Sequence, residues 1–223
     1  MIDWNEIDCV MLDMDGTLLD LHFDNHFWLK HVPSRYAEAK GMSLDQATQE
    51  LLARYKSVEG TLEWYCVDHW SRELELDIAL LKEEVEHLIA VHPHVIDFLD
   101  QLMCAGKERI LVTNAHQKTL ALKMEKTRLA GFFNQVISSH QLGLPKEDPE
   151  FWYRLQNLHP FDKRRTLFVD DSLSVLKSAR EYGIHWLLAM LKPDSKEPAR
   201  EVGDYPAIHD FTEITQGLRC TIQ

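Results

Sequence analysis

Apolar positions along the 223-residue chain follow two different periods, and the change between them divides it. Cys9-Val-Met-Leu-Asp13 is a short apolar run that ends in a carboxylate and a Gly-Thr turn, the pattern of a buried strand stopping at a loop. From about Phe23 to His92 no β-branched run occurs, and apolar residues recur at helical spacing, as at Leu44, Ala47, Leu51 and Leu52. Gly41, Gly60 and the Leu76-Asp77 pair divide this block into about four helices, with Ser43 and Thr61 as expected N-caps. After Pro93 the strand signal returns at Arg109–Thr113, Gln135–Ser138, Thr166–Asp170 and His185–Met190, separated by helical patterns over 116–129, 149–158 and 172–182. Strands alternating with helices predict an α/β fold, a doubly wound parallel sheet with right-handed crossovers. The expected organisation is an α/β core made of residues 1–19 and 93–223, interrupted after its first strand by an all-helical insertion, 20–92.

An apolar fraction of 45% and a charged fraction of 27% are those of an ordinary globular protein. A formal charge of −12 repels nucleic-acid backbones, and no Lys/Arg cluster with interleaved aromatics offsets it, so polymeric nucleic acid is excluded as a partner. A small anionic substrate would meet the same repulsion, and its site must therefore hold local positive charge, from a metal or a lysine. The N-terminus shows no basic segment followed by an apolar run, and no apolar stretch reaches the roughly 18 residues a membrane helix needs, so a cytoplasmic protein with no membrane partner is expected. Cys9, Cys66, Cys104 and Cys220 form no C-x-x-C pair and no close Cys/His spacing of the zinc type; they read as reduced thiols in a reducing compartment.

In a doubly wound sheet, ligands sit beyond the carboxyl ends of the strands. Asp13-Met-Asp-Gly-Thr17 follows the first strand, Thr113 and Asn114 end the second, Asp170 and Asp171 end the fourth, and Lys146 lies in a Gly-Leu-Pro-Lys loop after the third. Four carboxylates in one crevice, Asp13, Asp15, Asp170 and Asp171, repel one another unless a divalent cation joins them, and oxygen ligands favour magnesium over zinc.

These four segments, in this order, resemble the motifs of the haloacid dehalogenase superfamily, and the insertion after the first resembles that superfamily's helical C1-type cap. The resemblance implies a magnesium-dependent phosphomonoester hydrolase. Asp13 would attack phosphorus to form an aspartyl-phosphate, and Asp15 would act as general acid and then base. Thr113, Asn114 and Lys146 would hold the phosphate, while Asp13, the Asp15 main-chain carbonyl, Asp170 and, as a further contact, Asp171 would hold Mg2+. Glu147 departs from the family pattern, where proline often follows the lysine.

Two other classes share some of these features. A phospho-Asp receiver domain has the acidic cluster, threonine and lysine, but is about half this length and has no large insertion. A sugar-phosphate phosphatase or phosphomutase of the same fold is the nearer alternative. The segments 12–28, 62–66, 145–148 and 165–172 resemble those of bacterial 5′-nucleotidases within the superfamily, which implies a small phosphorylated metabolite, a purine mononucleotide, as substrate. Phe23 and Asn25, within about ten residues of Asp15, are the expected substrate contacts; Phe27, Trp28 and Tyr36 are expected to be packing.

Overall fold

The computed structural model describes residues 2–220. Six strands, β1 (Cys9–Leu12), β2 (Glu108–Thr113), β3 (Gln135–Ser138), β4 (Thr166–Asp170), β5 (Trp186–Met190) and β6 (Ala207–Ile208), form one wholly parallel sheet in the order β3-β2-β1-β4-β5-β6. The chain winds one way from β1 through β2 to β3 and the other way through β4, so β1 ends at the point where the strand order reverses.

The register explains why β1 is apolar throughout. Met11 pairs with Ile110 and Phe168, and Leu12 with Leu111 and Val169. Successive side chains therefore enter opposite cores. Val10 and Leu12 join one cluster with Leu99, Leu111 and Val169, while Cys9 and Met11 join another with Trp152, Phe168 and Leu176.

The helices are α1 (His22–His26), α2 (Val32–Lys40), α3 (Leu44–Val58), α4 (Val67–Leu74), α5 (Ile78–Glu84), α6 (Val95–Cys104), α7 (Gln117–Thr127), α8 (Ser139–Leu142), α9 (Pro149–Leu158), α10 (Leu173–Tyr182) and α11 (Thr212–Thr215). Among the described residues none is long and apolar enough to cross a membrane. α1 runs into α2 through a π turn, Phe27–His31, immediately before Pro33; widening the helix there accommodates a proline whose ring would clash with a carbonyl of the preceding turn. A third cluster, with Phe23, Phe27, Tyr36, Leu51, Tyr55 and Trp70 at its centre, lies wholly within this helical stretch.

Several expectations are corrected. Ser43 caps α3 in a full capping box, but Thr61 caps nothing: its hydroxyl donates to the Val58 carbonyl, and the Cys66 sulfur caps α4 instead. The buried face of α3 is Ala47, Leu51 and Tyr55, whereas Leu44 and Leu52 face solvent. Five helices, not four, fill the insertion. α6 and β6 lay outside the expected elements. The reading of all four cysteines as free thiols fails, because Cys104 and Cys220 form a disulfide with their Cα atoms 4.7 Å apart. Their separation of 116 residues leaves no local signature; only the packing of α6 against the C-terminal segment brings them together.

Candidate active site

The backbone N–H of Asp13 still donates to the Val169 carbonyl (3.0 Å), carrying the ladder one residue past β1 and fixing the first carboxylate at the sheet edge. The chain then turns sharply at Gly16, where φ is +84°, and a Cβ there would lie 2.7 Å from the Asp171 side chain. Only glycine meets both requirements. Thr113 and Asp170 end the strands on either side of β1, and the Asp170 Oδ1 accepts the Ser172 N–H (2.7 Å).

Lys146 joins these strand ends. Its Nζ lies 2.5 Å from Asp13 Oδ1 and 2.7 Å from Asp170 Oδ2, and donates to the Val112 carbonyl at 3.1 Å. Burial opposes its charge, but Asp13 and Asp170 outweigh burial and hold the ammonium above the usual lysine range. Burial pushes the Asp13 carboxyl up against the pull of Lys146, with Asp170 adding to the rise. Burial also raises Asp170, and raises Asp171 strongly with the Asp170 and Asp13 charges adding to it. So much carboxylate pushed towards its neutral form marks a place where Lys146, together with Arg200 at 3.5 Å from Asp171, does not balance the negative charge.

The loop carrying Lys146 is held by the residue that departs from the family pattern. Glu147 accepts from Asn114 Nδ2 (2.9 Å) and from the Tyr65 hydroxyl of the insertion (2.6 Å), while Asn114 Oδ1 accepts the Lys146 backbone N–H (2.9 Å). A proline at 147 could supply neither acceptor.

Asp15 is held differently. Its Oδ1 lies 2.6 Å from Lys123 Nζ on α7, which also lies 2.5 Å from Asp24 Oδ2; Asp24 Oδ1 in turn pairs with Lys82 of α5 at 3.2 Å. The result is a buried row of alternating charge from the core to the insertion. Burial lifts Asp15 to about 6, with Lys123 opposing and Asp24 and Asp13 reinforcing the rise. For Asp24 burial also pushes upward, but Lys123 and Lys82 outweigh it and hold the carboxyl low. Lys82, Lys123 and Asp24 were not foreseen. In sequence they are ordinary helix charges; packing distinguishes them, by burying Lys82 and Lys123 and setting the partly buried Asp24 between the two ammoniums.

All of the expected core residues, Asp13, Asp15, Thr113, Asn114, Lys146, Asp170 and Asp171, line one cavity of about 350 Å³, within the size range of small-molecule sites. The insertion contributes Trp28, Tyr55, Trp64, Tyr65 and Trp70 to its lining. Asn25 lines it too, with its amide donating to Asp194 at 2.7 Å. Phe23 does not. Its ring is buried against Phe27 under the ammoniums of Lys82 and Lys123, so the expected substrate contact is a core residue. Trp28, expected to be packing, lies on the helical face that Leu21, Asp24 and Asn25 present to the cavity, and it also packs against the third cluster.

The fit to magnesium can be judged from the donor set. Asp13, Asp170 and Asp171 present carboxylate oxygens within 4.8 Å of one another, a hard, oxygen-only group that suits Mg2+. The Asp15 carboxylate is not among them, being turned to Lys123.

Comparisons with known proteins agree with this geometry. The family model of haloacid dehalogenase-like hydrolases matches residues 7–183. The GMP/IMP nucleotidase YrfG of Escherichia coli (strain K12) is 39% identical over 217 residues, covering 97% of this chain and 98% of that protein. A phosphoglycolate phosphatase of Pseudomonas syringae pv. tomato is 24% identical, covering 93% of this chain and 78% of its own length. The crystal structure of a HAD phosphatase from Thermococcus onnurineus shares the fold with a TM-score of 0.77 at 23% identity, covering 93% of this chain and 95% of that one. The sheet order, the strand-end residues and the matched family model together show that this chain belongs to the haloacid dehalogenase-like hydrolase family.

Proposed function

We propose that this hydrolase is a magnesium-dependent 5′-nucleotidase that converts GMP and IMP to nucleoside and phosphate. The observation that carries the reading is the cavity's mixed lining: Asp13 and Lys146 from the core, and indole and phenol rings from the insertion. Such a cavity offers a phosphate site and a flat apolar site for a purine at once. The similarity to a GMP/IMP nucleotidase over nearly the whole of both chains supports the same substrate class.

In this reading residues 1–19 and 93–223 form the catalytic core, and 20–92 form a cap that recognises the leaving group. Asp13 attacks phosphorus and forms an aspartyl-phosphate, held in position by Lys146 and backed by Thr113 and Asn114 on the phosphate. Asp15, whose carboxyl sits at about 6, is poised near neutral pH to give a proton to the leaving 5′-oxygen and later take one from water. Asp13, the Asp15 main-chain carbonyl and Asp170, with Asp171 alongside, would hold Mg2+, which would supply positive charge at the phosphoryl oxygens. Lys123 keeps the Asp15 carboxyl aimed at the cavity. The cap rings supply binding energy that distinguishes a purine nucleotide from a small ester.

The test is phosphate release from GMP, IMP, AMP, CMP, 2-phosphoglycolate, a hexose phosphate and p-nitrophenyl phosphate, with and without Mg2+. The proposal expects GMP and IMP to lead in kcat/KM by at least about 10-fold, or roughly 1.4 kcal/mol of transition-state binding. A lead by 2-phosphoglycolate or a hexose phosphate would refute the nucleotidase reading while leaving the phosphatase chemistry intact.

A further inference from the structure

Beyond the carboxylate site lies a second group of ligand-type side chains whose chemistry is opposite in kind. Cys66, His116 and His140 present ligand atoms within 4.8 Å of one another, among residues far apart in sequence. Cys66 belongs to the helical insertion, at the N-terminus of α4; His116 precedes α7 in the loop after β2; His140 opens α8 after β3. The two imidazoles meet edge to face, 4.9 Å between centroids. His116 lines the active-site cavity, whereas Cys66 and His140 line a separate crevice of about 590 Å³, so the group forms part of the wall between them and can be reached from outside.

A second observation points to a ligand. The Nε2 of His140 is buried and has no hydrogen-bond partner among the described residues. Such an atom incurs a desolvation cost unless something fills the gap. Burial, with the neighbouring His116 ring, pushes the His140 imidazole down to about 4 against backbone hydrogen bonding at Tyr65 and Asn114, so the ring is neutral at neutral pH, the form that ligates a metal. His116 is held loosely: its Nδ1 accepts the Lys118 N–H at 3.3 Å and its Nε2 lies 3.8 Å from Asp68. Ligation at either nitrogen displaces only a long contact. One sulfur and two imidazole nitrogens are the donor set of zinc-class ions, not of magnesium. Tetrahedral zinc places such donors about 3.5 Å apart, given bond lengths of about 2.0–2.3 Å.

We propose that Cys66, His116 and His140 form a transition-metal site of the zinc class that ties the helical insertion to the core and slows turnover by holding the active-site cavity closed. Two of its ligands are core residues and one is an insertion residue, so an ion bound there spans the crevice that must widen for substrate entry and product exit. The proposal does not depend on which phosphate ester is hydrolysed.

The test uses the full-length protein in saturating Mg2+, with Co2+ as a spectroscopic probe and Zn2+ as inhibitor. Expected results are one equivalent of Co2+ giving a thiolate-to-cobalt charge-transfer band, and low zinc concentrations slowing phosphate release. Cys66→Ser, which keeps an N-capping side chain, should abolish the band, and Cys66→Ser and His140→Ala should each weaken zinc inhibition by at least about 100-fold with basal turnover retained. Asp170→Asn should keep the band, which separates this site from the carboxylates. Absence of the band, a band that persists in Cys66→Ser, zinc inhibition equal in wild type and both variants, or binding without slowed turnover would each overturn the proposal.

Discussion

Replacing Lys123 by Met tests the buried charge row most directly, because it keeps length and volume while removing the cation shared by Asp15 and Asp24. Lys123 is 1% exposed and lies 2.6 and 2.5 Å from the two carboxylates. Removing one partner of a buried pair costs about 3–5 kcal/mol, since the remaining charge is left unsolvated. Asp24 keeps Lys82 at 3.2 Å, so the loss falls mainly on Asp15. For a chain of this length, a destabilisation of that size lowers the melting midpoint by about 2–4 °C per kcal/mol, on the order of 6–20 °C in all. The effect has a definite pH sign. Asp15 already sits at about 6 with the lysine present, above its ordinary 3.8, and loses its main downward pull in the variant. Above the unfolded value the variant's folded state then binds more protons than its unfolded state, so its stability falls as pH rises until the folded carboxyl has ionised. The deficit against wild type should therefore be small at pH 5.5 and large at pH 8, as read by circular-dichroism melts at both. Lys118→Met removes an exposed ion pair with Asp68 and serves as the control, with no resolvable change in melting midpoint expected at either pH. A Lys123→Met midpoint within about 2 °C of wild type at pH 8 would refute the argument.

Asp13→Asn should fold normally and lose at least about 10³ in phosphate release, roughly 4 kcal/mol of barrier, and retention of more than a tenth of wild-type turnover rules out Asp13 as nucleophile. Chelation should abolish activity reversibly, with Mg2+ restoring it better than Ca2+, whose larger, looser shell misplaces the phosphate; full turnover in excess chelator contradicts the carboxylate argument. Trp28→Ala should lower kcat/KM for GMP by about 5- to 150-fold, the worth of one stacked base at 1–3 kcal/mol, and leave p-nitrophenyl phosphate nearly unchanged. Phe23→Ala should instead destabilise the protein by about 3–5 kcal/mol and reduce both substrates alike, as a core cavity does. A thiol reagent at pH 8 should label Cys66 and spare Cys9, whose thiol burial pushes up to about 12, as peptide mass mapping would show.

The core chemistry was legible because most of its residues end or follow a strand, and a short apolar run announces its own end. Asp13, Thr113 and Asp170 were found this way, with Lys146 in a short loop between Gly143 and α9. What escaped notice lies on helices, where chemistry carries no positional mark. Lys123 and Lys82 look like solvated helix charges until packing buries them. Trp28 and Phe23 exchanged expected roles because one helical stretch carries two apolar faces, Phe23 and Phe27 in the core and Trp28 with Leu29 at the cavity, and periodicity alone does not tell which face meets a ligand. The pair Cys104 and Cys220, and the group Cys66, His116 and His140, are contacts between distant segments. Spacing rules for disulfides and zinc are local, and neither arrangement is.

The aromatic wall has an optical consequence. Of the six tryptophans, Trp28, Trp64 and Trp70 face the cavity, while Trp4 and Trp152 are sealed in the two cores flanking the sheet and Trp186 packs against one of them. Indole emission from the first three therefore responds to whatever enters the cavity, and that of the others stays as a constant background. A purine bound as proposed would contact this wall and change that emission more than a small phosphate ester, which leaves the rings uncovered. On the proposed function the protein carries its own reporter of base occupancy, readable without a label and in the Asp13→Asn variant, whose turnover is expected to be at least about 10³ lower.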